Sequence, residues 1–310
     1  MAGMADRYAY LGPEGTFTEA ALLTFTQGTQ PEALPCPTIE ASLDAVRSGA
    51  ADRAIVPIEN SVEGAVTTTL DELATGPELI ITAEVLLPVT FALLARPGAV
   101  LADIKTVGGH PQAQAQCRHW LAAHLPEAEW RPASSNAEAA RQAAEGGIDA
   151  ALAGAFAAGR YGLAVAAGEV NDVPGAVTRF VVAGRPGPVP ARTGSDRTSL
   201  VAFLRADRPG ALMEILTEFA VRGINLTRIE SRPTGDGLGR YCFSVDCEGH
   251  LDDARVGEAL MGLRRVCAEV RFLGSYPRDD GGSTSVRPGT SDTEFAEAAA
   301  WLNRLRYGRV

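Results

Sequence analysis

Eleven residues, Gly184-Arg-Pro-Gly-Pro-Val-Pro-Ala-Arg-Thr-Gly194, interrupt this chain with three prolines and three glycines. Proline removes a backbone donor and fixes φ, and glycine adds chain entropy, so such a run cannot sit inside a helix or a central strand. It directly follows Val177-Thr-Arg-Phe-Val-Val182, a β-branched and aromatic stretch that reads as a strand. The chain must therefore build a core on each side of the run. A second break, Arg278 to Ser291, carries Asp-Asp-Gly-Gly-Ser-Thr-Ser and a Pro-Gly pair. With 310 residues there is chain enough for two domains. The expected division is a large domain over 6–185, a linker over 186–197, a small domain over 198–278, and a linker with a C-terminal helix over 279–310.

In the large domain, strand and helix patterns alternate. Tyr8–Leu11, Ala54–Ile58, Phe91–Ala95, Thr106–Gly108 and Ala150–Ala153 read as strands. Helical patterns start near Thr18 and after Ser61 (through Leu73), and cover Gln112–His124, Ala137–Ala144 and Ala155–Tyr161. Such alternation predicts α/β units with parallel strands, whose ligand sites lie at strand carboxyl ends near helix N-termini. The small domain reads as strand Ser199–Leu204, a helix with Leu212, Ile215, Leu216 and Phe219 on one face, strands Asn225–Ser231 and Tyr241–Cys247 around a turn at Gly235–Gly239, helix Asp252–Cys267, and strand Val270–Tyr276. That order is βαββαβ, a ferredoxin-like arrangement. In the tail, Ser291-Asp-Thr-Glu294 is a capping-box pattern, and Phe295, Ala299, Leu302 and Leu305 form the stripe of a docking helix.

Composition excludes several classes. A net charge of −10 argues against nucleic acid or an anionic membrane as the main partner, so an anionic ligand needs a local positive site. Lys105 is the single lysine and no motif surrounds it, which disfavours Schiff-base chemistry. The five cysteines form no C-x-x-C pair and read as reduced thiols, and the four histidines lack metal-ligand spacing. Met1–Tyr10 has no apolar run of a secretory signal, and Leu79–Ala95 carries Glu84 and Pro88 and is short for a bilayer span. A cytoplasmic protein without metal or organic cofactor is the expectation.

Four polar segments stand where chemistry could occur. Adjacent strand residues point to opposite faces, so Thr178 and Arg179 cannot share one apolar layer, and at least one should face a cleft or solvent. A hydroxyl can donate to a leaving oxygen and a guanidinium can hold a carboxylate, although a plain strand with a surface arginine reads the same way. In Gly12-Pro-Glu-Gly-Thr-Phe-Thr18, Thr16 and Thr18 can cap a helix or hold an anion. Glu59-Asn60-Ser61 ends an apolar strand with more polar groups than one N-cap requires. His110-Pro-Gln112 opens a helix on which Gln112 and Gln116 share a face, as they would on any solvated helix.

The joint order of these segments resembles that of prephenate dehydratases. The matching stretches are Gly12-Pro-Glu-Gly-Thr-Phe17, Pro57-Ile-Glu-Asn-Ser61 with Glu63-Gly64, His110-Pro-Gln112 with Gln116-Cys117, Tyr161-Gly-Leu163 and Thr178-Arg-Phe180. The small domain resembles an ACT domain through Arg208-Pro-Gly-Ala-Leu212, Gly223-Ile-Asn225 and Glu230-Ser-Arg-Pro233. The resemblance covers residues 6 to 278 and implies an α/β fold. Its catalytic domain would be two-lobed and periplasmic-binding-protein-like (type II), with crossovers near 83–89 and 164–172, followed by the ferredoxin-like βαββαβ ACT domain.

The implied activity is loss of the ring carboxylate of prephenate as CO2 and of its ring hydroxyl as water, giving phenylpyruvate for phenylalanine biosynthesis. The implied catalytic set is Thr178 with Arg179, Phe180 and Glu59, and the substrate-binding set is Thr16, Asn60, Ser61, His110 and Gln116. Thr178 would donate to the departing oxygen, with water or Glu59 as proton source, and Phe180 would close a dry pocket. Phenylalanine, the end product, would inhibit from a site at Gly210, Ala211, Leu212, Asn225, Glu230 and Ser231, lying between subunits of a homodimer or homotetramer. Two departures from the family pattern are Gly109, where a small hydroxyl residue is usual, and Pro174-Gly-Ala-Val177, where an asparagine is frequent. Arogenate is the alternative substrate, and a non-catalytic two-lobed protein that binds small anions is the alternative class. A fused chorismate mutase would need a long helical extension that this sequence lacks.

Overall fold

A computed structural model describes residues 6–27, 31–235 and 241–308. Its elements run β1 (Arg7–Leu11), α1 (Phe17–Phe25), β2 (Glu32–Cys36), α2 (Ile39–Arg47), β3 (Arg53–Asn60), β4 (Gly64–Ala65), α3 (Thr67–Thr75), β5 (Ile80–Pro88), β6 (Phe91–Ala95), β7 (Thr106–Gly109), α4 (Pro111–Gln116), α5 (Arg118–His124), β8 (Glu129–Pro132), α6 (Asn136–Ala144), β9 (Ala150–Gly154), α7 (Ala157–Tyr161), β10 (Ala164–Ala167) and β11 (Val177–Gly184). Then follow β12 (Asp196–Phe203), α8 (Ala211–Ala220), β13 (Leu226–Pro233), β14 (Tyr241–Glu248), α9 (Ala254–Val266), β15 (Glu269–Pro277) and α10 (Asp292–Tyr307). The chain divides into two units. One holds the residues up to Thr69 together with Val85–Val182, and the other holds Leu70–Glu84 and the residues from Ala183 onward.

Two sheets organise the first unit. One has the order β2-β1-β3-β11-β5, with β4 paired to β3, and β1 runs parallel to both β2 and β3. The other has the order β10-β6-β9-β7-β8. The expected parallel pattern holds where β7 pairs with β8 and β9, and fails where β6 pairs antiparallel with β9 and β10. Strand β6 enters its sheet from β5 through a two-residue link, not through a crossover helix, so nothing imposes a parallel neighbour. Both faces of β6 and β9 are covered, and alternate residues serve separate cores. Phe91, Leu93 and Leu152 face Val107, Ala113 and Cys117, while Ala92, Leu94 and Ala151 face the alanine side of α6. Small side chains on Ala139, Ala140 and Ala143 let that helix approach the sheet closely.

The chain passes between these sheets at 89–90 and again at 168–176. Asn171 laces the two passages together. Its Oδ1 accepts from the Phe91 N–H at 2.6 Å, and its Nδ2 donates to the Val89 carbonyl at 3.2 Å. The Val89 N–H donates to the Ala176 carbonyl at 2.7 Å. The helix expected over Gln112–His124 is broken at Cys117, whose φ of −122° and ψ of 14° end α4. The N–H groups of His119 and Trp120, freed at the break, are accepted by Asp172 at 2.8 and 3.0 Å.

The second unit contains the sheet β13-β14-β12-β15, antiparallel throughout, in the expected βαββαβ order. Leu200, Ala202, Phe243, Val245 and Cys247 pack against Ile215 and Phe219 of α8 and Val256, Ala259 and Leu263 of α9. Cys242, Ser244 and Asp246, on the face of β14 opposite Phe243 and Val245, are all buried. Arg228 grips Asp246 through Nε and Nη2 at 2.8 and 3.1 Å, and Ser199 donates to the same carboxylate at 2.7 Å. Residues Leu70–Glu84 belong to this unit, and Leu70, Leu73, Ala74, Leu79 and Ile81 are buried in it. Gly274 has φ +144°, and a Cβ there would overlap the Ile81 carbonyl. Gly274→Ala is therefore expected to cost about 2–4 kcal/mol of unfolding free energy, read as a lowered denaturant midpoint. An unchanged midpoint would show that β5 can retreat from β15.

The capping box at Ser291 and Glu294 starts α10, and Asp292 accepts from the Ala254 N–H at 2.9 Å. The expected docking stripe is half-buried at Phe295 and exposed at Leu302 and Leu305. The turn expected at Gly235–Gly239 lies outside the described residues beyond Gly235. All five cysteines are free and buried, and burial pushes the Cys117 and Cys247 thiols up to about 12. Among the described residues, no helix is long and apolar enough to cross a membrane, and no group of three His, Cys, Asp or Glu residues could hold a metal.

Candidate active site

Strand β3 ends in polar residues, β11 begins with them, and the two strands are neighbours. Asn60 Nδ2 donates to Thr178 Oγ1 at 2.8 Å. Asn60 Oδ1 accepts from the N–H groups of Val62 and Glu63 at 2.9 and 3.0 Å. Those two backbone donors fix the amide, because only its oxygen can receive them. The Thr178 oxygen therefore accepts from the amide, and its own hydroxyl hydrogen is directed elsewhere. On the other strand face, Arg179 Nη1 donates to Glu59 Oε2 at 3.3 Å.

Thr178 and Arg179 are 8% and 6% exposed, so neither side chain stands open to bulk solvent. Partners on β3 meet both, at sequence separations of 118 and 120 that no local pattern reveals. Phe180 shares the Thr178 face of the strand and is 2% exposed. None of Glu59, Asn60 or Ser61 caps the next helix, since β3 extends through Asn60 and α3 begins only at Thr67. Asn60 caps the turn at 61–63 instead. Ser61 pins the start of β11: its N–H donates to the Val177 carbonyl and its Oγ accepts from the Val177 N–H, each at 2.9 Å.

The remaining expected residues divide by what occupies them. Gln116 Nε2 donates to Glu63 Oε1 at 2.5 Å, tying α4 to the hairpin after β3. His110 is the N-cap of α4, with Nδ1 accepting from the Gln112 N–H at 3.3 Å, which leaves Nε2 outside the cap. Thr16 is spent on the fold. Its hydroxyl donates to the Leu11 carbonyl at 3.1 Å and accepts from the Glu19 N–H at 3.3 Å. Tyr161 lies against the same turn, donating to the Glu14 carbonyl at 2.5 Å, and burial pushes its phenol up so that it stays a donor. Asn171 and Asp172 were not singled out from sequence; the only local signal is a polar stretch, Glu169-Val-Asn-Asp172, between apolar runs.

Gly109, one of the two departures from the family pattern noted above, stands in a tight place. A Cβ there would come within 2.8 Å of the Trp130 ring and 3.4 Å of Asn136 Oδ1. The Asn136 oxygen accepts from the His110 N–H at 2.8 Å and so holds the start of α4.

A separate cavity of about 420 Å3 lies in the second unit at the start of α8, lined by Gly210, Ala211, Leu212, Leu216, Ser231 and Phe243 among others. Gly210 takes φ +86° as the N-cap, a left-handed conformation that glycine tolerates. Of the six residues expected at a regulatory site, Asn225 and Glu230 are outside this lining. Asn225 follows the far end of the ten-residue α8.

Polar residues gathered where β3 and β11 meet in one sheet, followed by a βαββαβ module with its own cavity, define an α/β enzyme domain joined to a small-ligand-binding module. The family model for prephenate dehydratase matches residues 8–188, and that for the ACT domain matches residues 198–265. The prephenate dehydratase of Mycobacterium tuberculosis (strain H37Rv) is 54% identical over 312 residues, 98% of this chain and 95% of that protein. The crystal structure of prephenate dehydratase from Arthrobacter aurescens in complex with L-Phe is similar with a TM-score of 0.92 at 51% identity, over 96% of this chain and 99% of that one. The quorum-quenching acylase GqqA is similar with a TM-score of 0.77 at 30% identity, over 88% and 98%. The chain belongs to the prephenate dehydratase family.

Proposed function

We propose that the chain converts prephenate to phenylpyruvate, CO2 and water, in the cytoplasm, as a step of L-phenylalanine biosynthesis. The observation that carries this reading is the direction of the Asn60–Thr178 hydrogen bond. In the reaction, the bond from ring to carboxylate breaks and its electron pair enters the ring. The bond to the ring oxygen breaks in turn, and the departing oxygen takes a proton and leaves as water. Charge develops on that oxygen, and a donor already oriented toward it lowers the barrier. Thr178 supplies that donor, because the Asn60 amide occupies its acceptor side.

Glu59 is engaged by Arg179 on the opposite strand face, so the proton reaches the leaving oxygen by way of water. Arg179 acts as a positioning residue through Glu59. Ser61 and His110 Nε2 provide donors for carboxylates, Gln116 holds the hairpin that carries Asn60, and Thr16 and Phe180 support the fold. An acyl-transfer reading, as for the 30%-identical acylase, would need Thr178 activated by an adjacent base. Its neighbour is an amide donor, which favours the dehydratase.

The C-terminal module binds phenylalanine at the cavity beside Gly210, Ala211, Leu212 and Ser231. A second copy contributes Asn225 and Glu230, in a homodimer or homotetramer. Exposed Leu212, Met213 and Tyr241 around the cavity support a covering partner. The domain limits follow as 6–185 and 198–278. The purified protein is expected to form phenylpyruvate from prephenate faster than from arogenate, and to be inhibited by millimolar phenylalanine. Failure to act on either substrate would overturn the assignment, and undiminished activity with phenylalanine would overturn the regulatory part.

A further inference from the structure

Helix α3 begins in the first unit and ends in the second, and each end is anchored. At its start, Thr69 Oγ1 donates to the Pro57 carbonyl at 2.6 Å, and the Val66 N–H donates to the Ile58 carbonyl at 2.9 Å. Pro57 and Ile58 lie directly before Glu59 and Asn60 on β3. In the other half, Asp71 receives a bidentate grip from Arg232, Nε to Oδ1 at 2.9 Å and Nη2 to Oδ2 at 2.6 Å. Arg271 Nη1 donates to the carbonyls of Leu73 and Gly76 at 3.3 and 2.6 Å, closing the C-terminal turn. Arg232 sits on β13 and Arg271 on β15, the two outer strands of the module's sheet.

Ser231 lines the cavity, and Arg232 is the next residue of the same strand. Alternation sends their side chains to opposite faces, one to the cavity and one to α3. Any displacement of β13 by an occupant of the cavity would reach Asp71 through a single residue. The nine-residue helix is about 13 Å of stiff rod at 1.5 Å per residue.

We propose that Asp71 and Arg232 are positioning residues that carry occupancy of the cavity through α3 to Asn60, with Arg271 as the second anchor. This rests on the regulatory reading above. The Asp71 and Arg232 side chains are 46% and 26% exposed, so the pair adds little to stability. Its contribution is geometric, since only a fork-to-carboxylate contact transmits direction as well as attraction.

The test uses the full-length protein, phenylalanine as probe, and the variants Asp71→Asn and Asp71→Glu. Three quantities are read: phenylalanine Kd by calorimetry, kcat and KM without effector, and residual activity at saturating phenylalanine. Asp71→Asn is expected to keep kcat and KM within about twofold and Kd within about threefold, while inhibition falls below about twofold, against a usual coupling range of about 5–150-fold. Asp71→Glu, which preserves the carboxylate, should retain most of the inhibition. Full inhibition of Asp71→Asn would overturn the proposal, as would loss of phenylalanine binding by that variant, which would place the pair in the binding site itself. Wild-type protein that does not bind phenylalanine would defeat the regulatory reading and this proposal with it, a failure visible before any variant is made.

Discussion

Thr178→Ala is expected to lower kcat by about 10²–10³-fold, the usual cost of removing one donor aimed at developing negative charge. KM should change by less than about threefold, because the hydroxyl acts on the departing oxygen more than on bound substrate. The variant removes a single side-chain bond, the one accepted from Asn60, so its fold should persist. Thr178→Ser keeps the hydroxyl but frees its rotamer, and about a tenfold loss or less is expected. Steady-state phenylpyruvate formation separates the two. Near-normal turnover in Thr178→Ala would take this hydroxyl out of the mechanism.

Asn60→Asp should be nearly as damaging although it changes one atom type. An aspartate oxygen still accepts from Val62 and Glu63, so the turn at 61–63 survives. The group facing Thr178 becomes an acceptor and draws the hydroxyl hydrogen toward itself. A kcat loss of about 10²-fold is expected, because the donor is then diverted from the leaving oxygen. KM should rise as well, since the proposed site would then set a new negative charge against an anionic substrate. Thermal unfolding close to that of the wild type, with turnover lost, is the expected signature. Retained kcat would mean that the direction of this hydrogen bond has no catalytic consequence.

The sequence carried the parts of this fold whose causes are local. Glycine at 223, the capping box at Ser291 and the apolar periods of α8, α9 and β14 all act within a few residues, and each of these elements lies where its pattern predicts. The candidate residues were legible as a joint order of motifs, whereas the contacts among them were not. Asn60 meets Thr178, Gln116 meets Glu63 and Asp172 caps α5 across separations of 52 to 118 residues, so no window of sequence contains both partners. Thr16 and Phe180 each have a place in the fold that their motifs do not announce. The fold uses one as a cap and the other as core.

The tight fit of Gly109 against Trp130 bears on how this site can vary over time. A serine or threonine at position 109 would press on the tip of the Trp130 indole, which must shift to admit it, and shrinking Trp130 alone would leave a void in its place. The two positions are coupled, each biasing the residues the other accepts. A library that varies position 109 singly reads its tolerance against this one indole and misses that coupling.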